Sequence, residues 1–188
     1  MLIVVRHGRT EANARGLLLG RADPDLDAEG EAQAVAVAGW IGPVDRVVTS
    51  PLRRAVRTAA AFAGEVEVDD RWIELDYGTW DGRPVADIPA DAWRRWRTDP
   101  DFAPPGGESH AALLARVVAA GTELVAEAAE RDIVVVTHVS PIKAVVAWAL
   151  DAGHASMART RVGQPSVTRI AAGSHGPVLV TFNGVPPG

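Results

Sequence analysis

Apolar and polar positions along this chain fall into two alternating textures: short β-branched runs, and longer Ala-rich stretches broken by charge. Leu2–Val5 is the first run, Asp45-Arg-Val-Val-Thr-Ser50 the second, Val66–Val68 a third, and Ile133–Thr137 the most continuous. Stretches apolar at successive positions are what strands buried on both faces need. Between them the pattern predicts helices. Asp27-Ala-Glu-Gly-Glu31 opens one that runs to about Ile41, with carboxylates at the positive end of its dipole and Gly42-Pro43 as its stop. Pro51 suits the first position of the next, with Ser50 as its N-cap and the run continuing to Ala63. A long Ala/Leu/Val helix is expected over Glu108–Glu130, and Ser140-Pro141 opens another to about Asp151. The tail from Gly163 holds two strands, Val167–Ala171 and Val178–Phe182, whereas residues 14–26, dense in Gly, Pro and Asp, read as a loop.

Strands alternating with helices through short connections predict a three-layer α/β/α sandwich around a mainly parallel central sheet. Residues 84–107 break the rhythm with two short helical stretches rich in Trp and a closing Ala-Pro-Pro-Gly-Gly. This segment is expected as a small helical insertion capping the sheet's carboxyl edge, within one domain over residues 1–188.

Composition narrows the functional classes. The chain has 47% hydrophobic and 23% charged residues, ordinary for a globular protein, and no cysteine, which removes disulfides, thiolate metal sites and cysteine nucleophiles. A net charge of −5 argues against nucleic acid as a partner. No apolar run is long enough for a membrane span, and Met1-Leu2-Ile3 enters the first strand without a basic leader, so a cytoplasmic location is expected. Trp40, Trp148 and the tail strands suit either core or interface, leaving monomer and homodimer both open.

The chemistry lies where the strands stop. Leu2–Val5 ends in Arg6-His7-Gly8-Arg9-Thr10, and Ile133–Thr137 ends in His138. Parallel strands place both histidines on the carboxyl edge, where open α/β sheets bind ligands. Ser50-Pro51 brings the start of an arginine-bearing helix to that edge, so its free N–H groups and Arg54 are expected to face the same pocket. Gly8 allows a sharp turn and a close approach of ligand to backbone. Two guanidinium forks and two imidazoles suit a phosphate. The arginines would repel a dication, and neither His-x-x-x-His nor His-Glu-x-x-His spacing occurs, so no metal or other cofactor is expected. Neither a P-loop nor a Gly-x-Ser-x-Gly elbow is present. With phosphate bound, a neutral His7 nitrogen can attack phosphorus while Arg6, Arg54 and His138 neutralise the phosphoryl oxygens. Glu74, beside Asp76 in Ile-Glu-Leu-Asp-Tyr-Gly, is a candidate proton donor to the leaving group, a surface carboxylate being the alternative.

Six blocks in order carry a resemblance along nearly the whole chain. They are Arg-His-Gly-Arg-Thr-Glu-Ala-Asn (6–13), Gly-Arg-Ala-Asp-Pro-Asp-Leu (20–26), Ser-Pro-Leu-Arg-Arg-Ala-Val-Arg-Thr-Ala (50–59), Glu-Leu-Asp-Tyr-Gly-Thr-Trp-Asp-Gly (74–82), Pro-Gly-Gly-Glu-Ser (105–109) and Thr-His-Val-Ser-Pro-Ile-Lys (137–143). In these the sequence resembles the histidine phosphatase superfamily, also called phosphoglycerate-mutase-like, and within it small actinobacterial acid phosphatases and α-ribazole-phosphatase-like members. The resemblance implies a phosphohistidine on His7, a phosphate pocket of Arg6, Arg54 and His138, and Glu74 as general acid, then base. It adds Asn13 and Arg21 as substrate-binding positions. Val139 stands where many members have glycine, at the backbone donors beside His138. The implied activity is hydrolysis of a small organic phosphomonoester without metal. Mutase-type phosphoryl transfer and a non-catalytic phospho-ligand binder are the alternatives. The compact insertion, with Trp80, Trp93, Trp96, Phe102 and His110, favours a bulkier organic phosphate over a mutase's doubly anionic ligand; packing of the cap is the other use for those side chains.

Overall fold

In a computed structural model describing residues 1–186, four of the apolar runs become parallel strands: β1 (Leu2–Arg6), β2 (Arg46–Thr49), β3 (Val66–Val68) and β4 (Ile133–Thr137). The tail adds β5 (Val167–Gly173), antiparallel to β1, and β6 (Gly176–Gly184), antiparallel to β5. The sheet order is β3-β2-β4-β1-β5-β6. It is therefore mixed, parallel through its chemical half and antiparallel only where the hairpin is appended.

The alternation of strand side chains builds two cores. Leu2, Val4, Val48, Ile133 and Val135 face one layer, and Ile3, Val5, Val47, Val134 and Val136 the other. The first layer is α5 (His110–Glu127) and α6 (Val139–Ala149), contributing Leu113, Val117, Ile142 and Val145. The second is α2 (Ala28–Ile41) and α3 (Arg53–Ala59), contributing Val37, Ala55 and Ala59. All five β4 residues are buried, and each such aliphatic side chain contributes about 1.5–3 kcal/mol through burial. That firmness holds the strand ends in place.

Local differences from the sequence expectation have physical causes. α3 begins at Arg53 with Leu52 as N-cap and ends at Ala59, so Ser50 and Pro51 lie outside it. The Ser50 hydroxyl is engaged elsewhere, as described below. α6 begins one residue before Ser140, with His138 as its N-cap. α5 starts where Ser109 Oγ accepts the Ala112 N–H (3.2 Å). The stretch after β1 holds a short unanticipated helix, α1 (Glu11–Ala14), closed by a reciprocal box between Thr10 and Asn13. At four residues it is too short to show a period.

Within the insertion, residues Val85–Asp87 form a 3₁₀ turn and Ala90–Thr98 form α4. Trp93 and Trp96 stack with centroids 4.9 Å apart, and Trp80 lies 6.1 Å from Phe102. The cluster packs on the α5–α6 core and against the 3₁₀ segment His154–Arg159. No helix among the described residues is long and apolar enough to cross a membrane.

Candidate functional site

β1, β4 and β2 are neighbours in the sheet, so their carboxyl ends deliver His7, His138 and Ser50 to one place. The two imidazoles lie with ring centroids 5.0 Å apart and planes at 55°. His7 is held by its own loop: the Gly8 carbonyl lies 2.7 Å from Nδ1. A carbonyl only accepts, so Nδ1 carries the proton and Nε2 keeps a free lone pair. Gly8 itself donates to Thr58 Oγ1 (2.9 Å), whose hydroxyl donates to the Arg54 carbonyl (2.7 Å). A side chain at Gly8 would run into the Gly30 carbonyl of α2. The glycine serves the packing of two backbones, a reason the sequence did not disclose.

His138 is fully buried, with Nε2 2.6 Å from Ser50 Oγ and Nδ1 without a partner. Ser50 Oγ also accepts the Leu52 N–H (3.3 Å), leaving its proton available to His138 Nε2. On that arrangement Nδ1–H is the imidazole's outward donor. Burial, then the Arg54 and Arg6 charges, push His7 well below the ordinary imidazole pKa. Burial, then Arg54, His7 and Arg6, do the same to His138. Both are neutral bases at pH 7.

Arg54 is fully buried and clamped: Nη1 and Nη2 donate to the Ala22 and Gly20 carbonyls (both 2.7 Å). Asp81 holds the same loop from its other side, accepting the Gly20 (2.8 Å) and Ala22 (2.7 Å) N–H groups. Arg6 donates to the Val162 carbonyl (3.0 Å), and desolvation lowers its pKa to about 10. Arg6 Nε, Arg54 Nε and His138 Nδ1 are buried without hydrogen-bond partners. Three orphaned donors in one cationic corner are costly unless an anion takes them. The helix N-terminus contributes less than expected, since the Arg53 N–H is taken by Asp23 Oδ1 (2.8 Å).

Glu74 lies deep in the structure rather than on the surface. Its Oε1 accepts the Leu75 N–H (2.6 Å), and the Ser140 N–H lies 3.2 and 3.3 Å from its two oxygens. Ser140 is the second residue of α6, so Glu74 caps that helix from a distant segment. Burial raises its pKa against those hydrogen bonds and the Arg54 charge, which lower it. The segment is anchored by Arg116, which donates to the Arg71 and Ile73 carbonyls (both 2.7 Å) and pairs with Glu108 (2.7 Å).

The remaining expected residues are held by neighbouring segments. Asn13 Oδ1 accepts from Thr10 and from Gln164 Nε2 (3.0 Å), and Gln164 also reaches the His7 carbonyl (3.2 Å). Arg21 is half-exposed between Asp76 (3.4 Å) and Glu108 (3.5 Å). Val139, as the first helical residue of α6, has an N–H with no intrahelical partner, and its backbone is one valine adopts without strain. Gln164, Asp81, Ser50 and Arg116 were not found as site residues by sequence reasoning. Most of their contacts span tens of residues; Ser50 and Asp81 fall within the blocks named above, but the chain alone did not show what they hold.

The family model described as the histidine phosphatase superfamily (branch 1) matches residues 2–184. A bifunctional protein of Mycobacterium tuberculosis is 36% identical over 177 residues, which are 89% of this chain and 49% of that protein. The chain thus spans about half the length of that relative. The glucosyl-3-phosphoglycerate phosphatase of the same organism is 37% identical over 154 residues, 73% of this chain and 69% of that protein. The crystal structure of phosphoserine phosphatase from Entamoeba histolytica with 3-phosphoglyceric acid superposes with a TM-score of 0.90 at 30% identity, covering 98% of this chain and 96% of that one.

Proposed function

The chain belongs to the histidine phosphatase superfamily, and from that premise we propose that it hydrolyses phosphomonoesters through a phosphohistidine on His7, without metal. The observation that carries the reading is the Nδ1–H donation from His7 to the Gly8 carbonyl, which turns a neutral Nε2 outward as nucleophile. Nε2 attacks phosphorus, and the bond to the ester oxygen breaks. Arg6, Arg54 and the His138 Nδ1–H neutralise the phosphoryl oxygens as charge spreads over them. Glu74, whose pKa burial raises, gives its proton to the departing alkoxide. A water then attacks the phosphohistidine, the P–N bond breaks, and the Glu74 carboxylate takes the water's proton.

The partner of this site is a small phosphomonoester, and the acidic chain works in the cytoplasm without nucleic acid. Asn13, Arg21 and the Val139 N–H form the substrate-facing rim. Hydrolysis is favoured over transfer to a second hydroxyl because Trp93 and Trp96 wall the space beside Ser140, suiting a bulky organic leaving group.

The test is phosphate release from aryl, sugar, nucleotide and glycerate phosphates with chelator present. Wild type should release phosphate, and His7→Ala should fall to background on every ester. Glu74→Gln should lose about a hundredfold or more on alkyl phosphates but far less on an aryl phosphate, whose leaving group needs no proton. No release from any ester, or release that needs metal, would overturn the reading.

A further inference from the structure

Lys143 is the only lysine in the sequence. It stands half-buried on α6, one turn beyond Val139 and Ser140, and makes no ion pair or hydrogen bond among the described residues. It lines a cavity of about 170 Å³ that starts at Tyr77 and Ser140, the residue whose N–H holds the Glu74 carboxyl. The cavity therefore lies on the side of the site where Glu74 would meet a leaving group. Its wall carries one further donor without a partner, the Trp96 indole N–H, with the His110 ring 4.3 Å from the Trp96 ring.

Trp93, Arg97 and Ala158 belong both to this cavity and to an open trough of about 410 Å³, which adds Arg94 and Arg159. No carboxylate lines either space. On a chain of net charge −5, four cations without a counter-charge along one continuous groove concentrate a local positive potential. A half-buried ammonium without a partner is also unfavourable until an anion reaches it. Burial, reinforced by Arg97 and Arg6 and opposed by Glu74, pulls the Lys143 pKa down, which an incoming anion would reverse.

We infer that this groove binds the substrate's leaving group, and that the leaving group carries a second anion which Lys143 pairs. The carbon skeleton lies along Trp93 and Trp96, and anions at the far end of a longer skeleton meet Arg94, Arg97 and Arg159. The inference deepens the hydrolase reading and rests on it, and it replaces the expectation from the sequence that the insertion disfavours a doubly anionic ligand, because Lys143, Arg94, Arg97 and Arg159 line the same space as Trp93 and Trp96. The second anion is a carboxylate or a phosphate, and the two differ in reach: a carboxylate one or two carbons from the ester oxygen falls to Lys143, a distal phosphate to the arginines.

Matched substrates test it: phosphoserine against phosphoethanolamine, 3-phosphoglycerate against glycerol 3-phosphate, and a terminal sugar bisphosphate against its monophosphate, with p-nitrophenyl phosphate as reference. The member with the second anion should have the higher kcat/KM by about tenfold or more in at least one pair, mostly through KM. Preference confined to the first two pairs identifies a carboxylate, and preference confined to the third a phosphate. Lys143→Met, with unchanged Tm, should collapse the carboxylate ratio, and Arg94→Gln with Arg159→Gln the bisphosphate ratio. Equal kcat/KM within all three pairs overturns the proposal, as does a Lys143→Met loss of equal size on every ester, p-nitrophenyl phosphate included. Failure of the hydrolase reading looks different: no ester, aryl phosphate included, releases phosphate, and the inference falls with it.

Discussion

His7 and His138 are delivered by the same device, a buried parallel strand that stops one residue short of an imidazole, yet their surroundings assign them opposite tasks. At the end of β1 the chain turns back so that the Gly8 carbonyl takes the Nδ1 proton, and Nε2 is left with its lone pair. At the end of β4 the chain runs straight into α6, no backbone carbonyl reaches the ring, and Ser50 from β2's end meets Nε2 instead. The first histidine becomes an acceptor towards the pocket and the second a donor. In the proposed mechanism, what separates nucleophile from electrostatic partner is which ring nitrogen the backbone or a neighbour occupies, since residue type, strand context and burial are the same.

The most severe test of that division is rapid quenching in alkaline detergent, which preserves the acid-labile P–N bond, with a substrate labelled in its phosphoryl group. Wild type should carry the label on the peptide containing His7, and His7→Ala should carry none. His138→Ala should still label His7, about a hundred- to a thousandfold more slowly, the usual cost of losing one donor to a transition-state oxygen. Label on His138, or its absence from both single variants, would reverse or erase the assignment.

The property the two share can be broken next. Both are neutral and held below the ordinary histidine pKa, chiefly by burial; His110, also buried, is brought down to about 4. Between an unfolded pKa near 6.5 and these lower folded values the unfolded chain binds more protons, so stability is present above that range and lost as pH falls through it. Unfolding free energy from urea titrations should drop between pH 7.5 and pH 5.5, by up to about 1.4 kcal/mol per pH unit for each such histidine below 6.5. His7→Asn and His138→Asn should each flatten the slope by one histidine's share. A slope unchanged in both variants would mean that the imidazoles are not held neutral.

Much of this was legible before the structure because it depends on local pattern plus one topological rule. The β-branched runs specify the parallel half of the sheet, and parallel neighbours put the residues after Val5 and Thr137 on one edge. Arg54 and Glu74 were also found in the chain, although the burial of Glu74 beneath α6 was not. The illegible parts are those where a distant segment wins over a local preference. Ser50-Pro51 reads as the start of a helix, but the hydroxyl goes to His138 and α3 begins at Arg53. Gln164 has no periodic or motif signal, and Asp81, although inside the 74–82 block, shows nothing of its task, because what they hold is the His7–Asn13 loop and the Arg54 clamp. The tail strands were visible, but their direction depends on a hairpin returning against β1.

The finest cut between the two histidines is Ser50→Ala, which leaves both rings and both arginines in place. Ser50 Oγ is the one hydrogen-bond partner of the His138 ring among the described residues and also receives the Leu52 N–H. Removing it leaves Nε2 in a buried corner with nothing to fix the tautomer, so the Nδ1–H population falls. The cost expected of one such bond is about 1 kcal/mol, roughly fivefold to tenfold in turnover. It should appear in kcat on alkyl and aryl phosphates alike, since it weakens phosphoryl stabilisation rather than proton donation. Nitrogen-15 imidazole shifts supply the readout that a general loosening would not move: His138 should change from Nδ1–H towards a mixture, while His7 stays Nδ1–H through its bond to Gly8. If His7 shifts as much as His138, Ser50 supports the whole strand edge and the division of labour between the rings lies elsewhere.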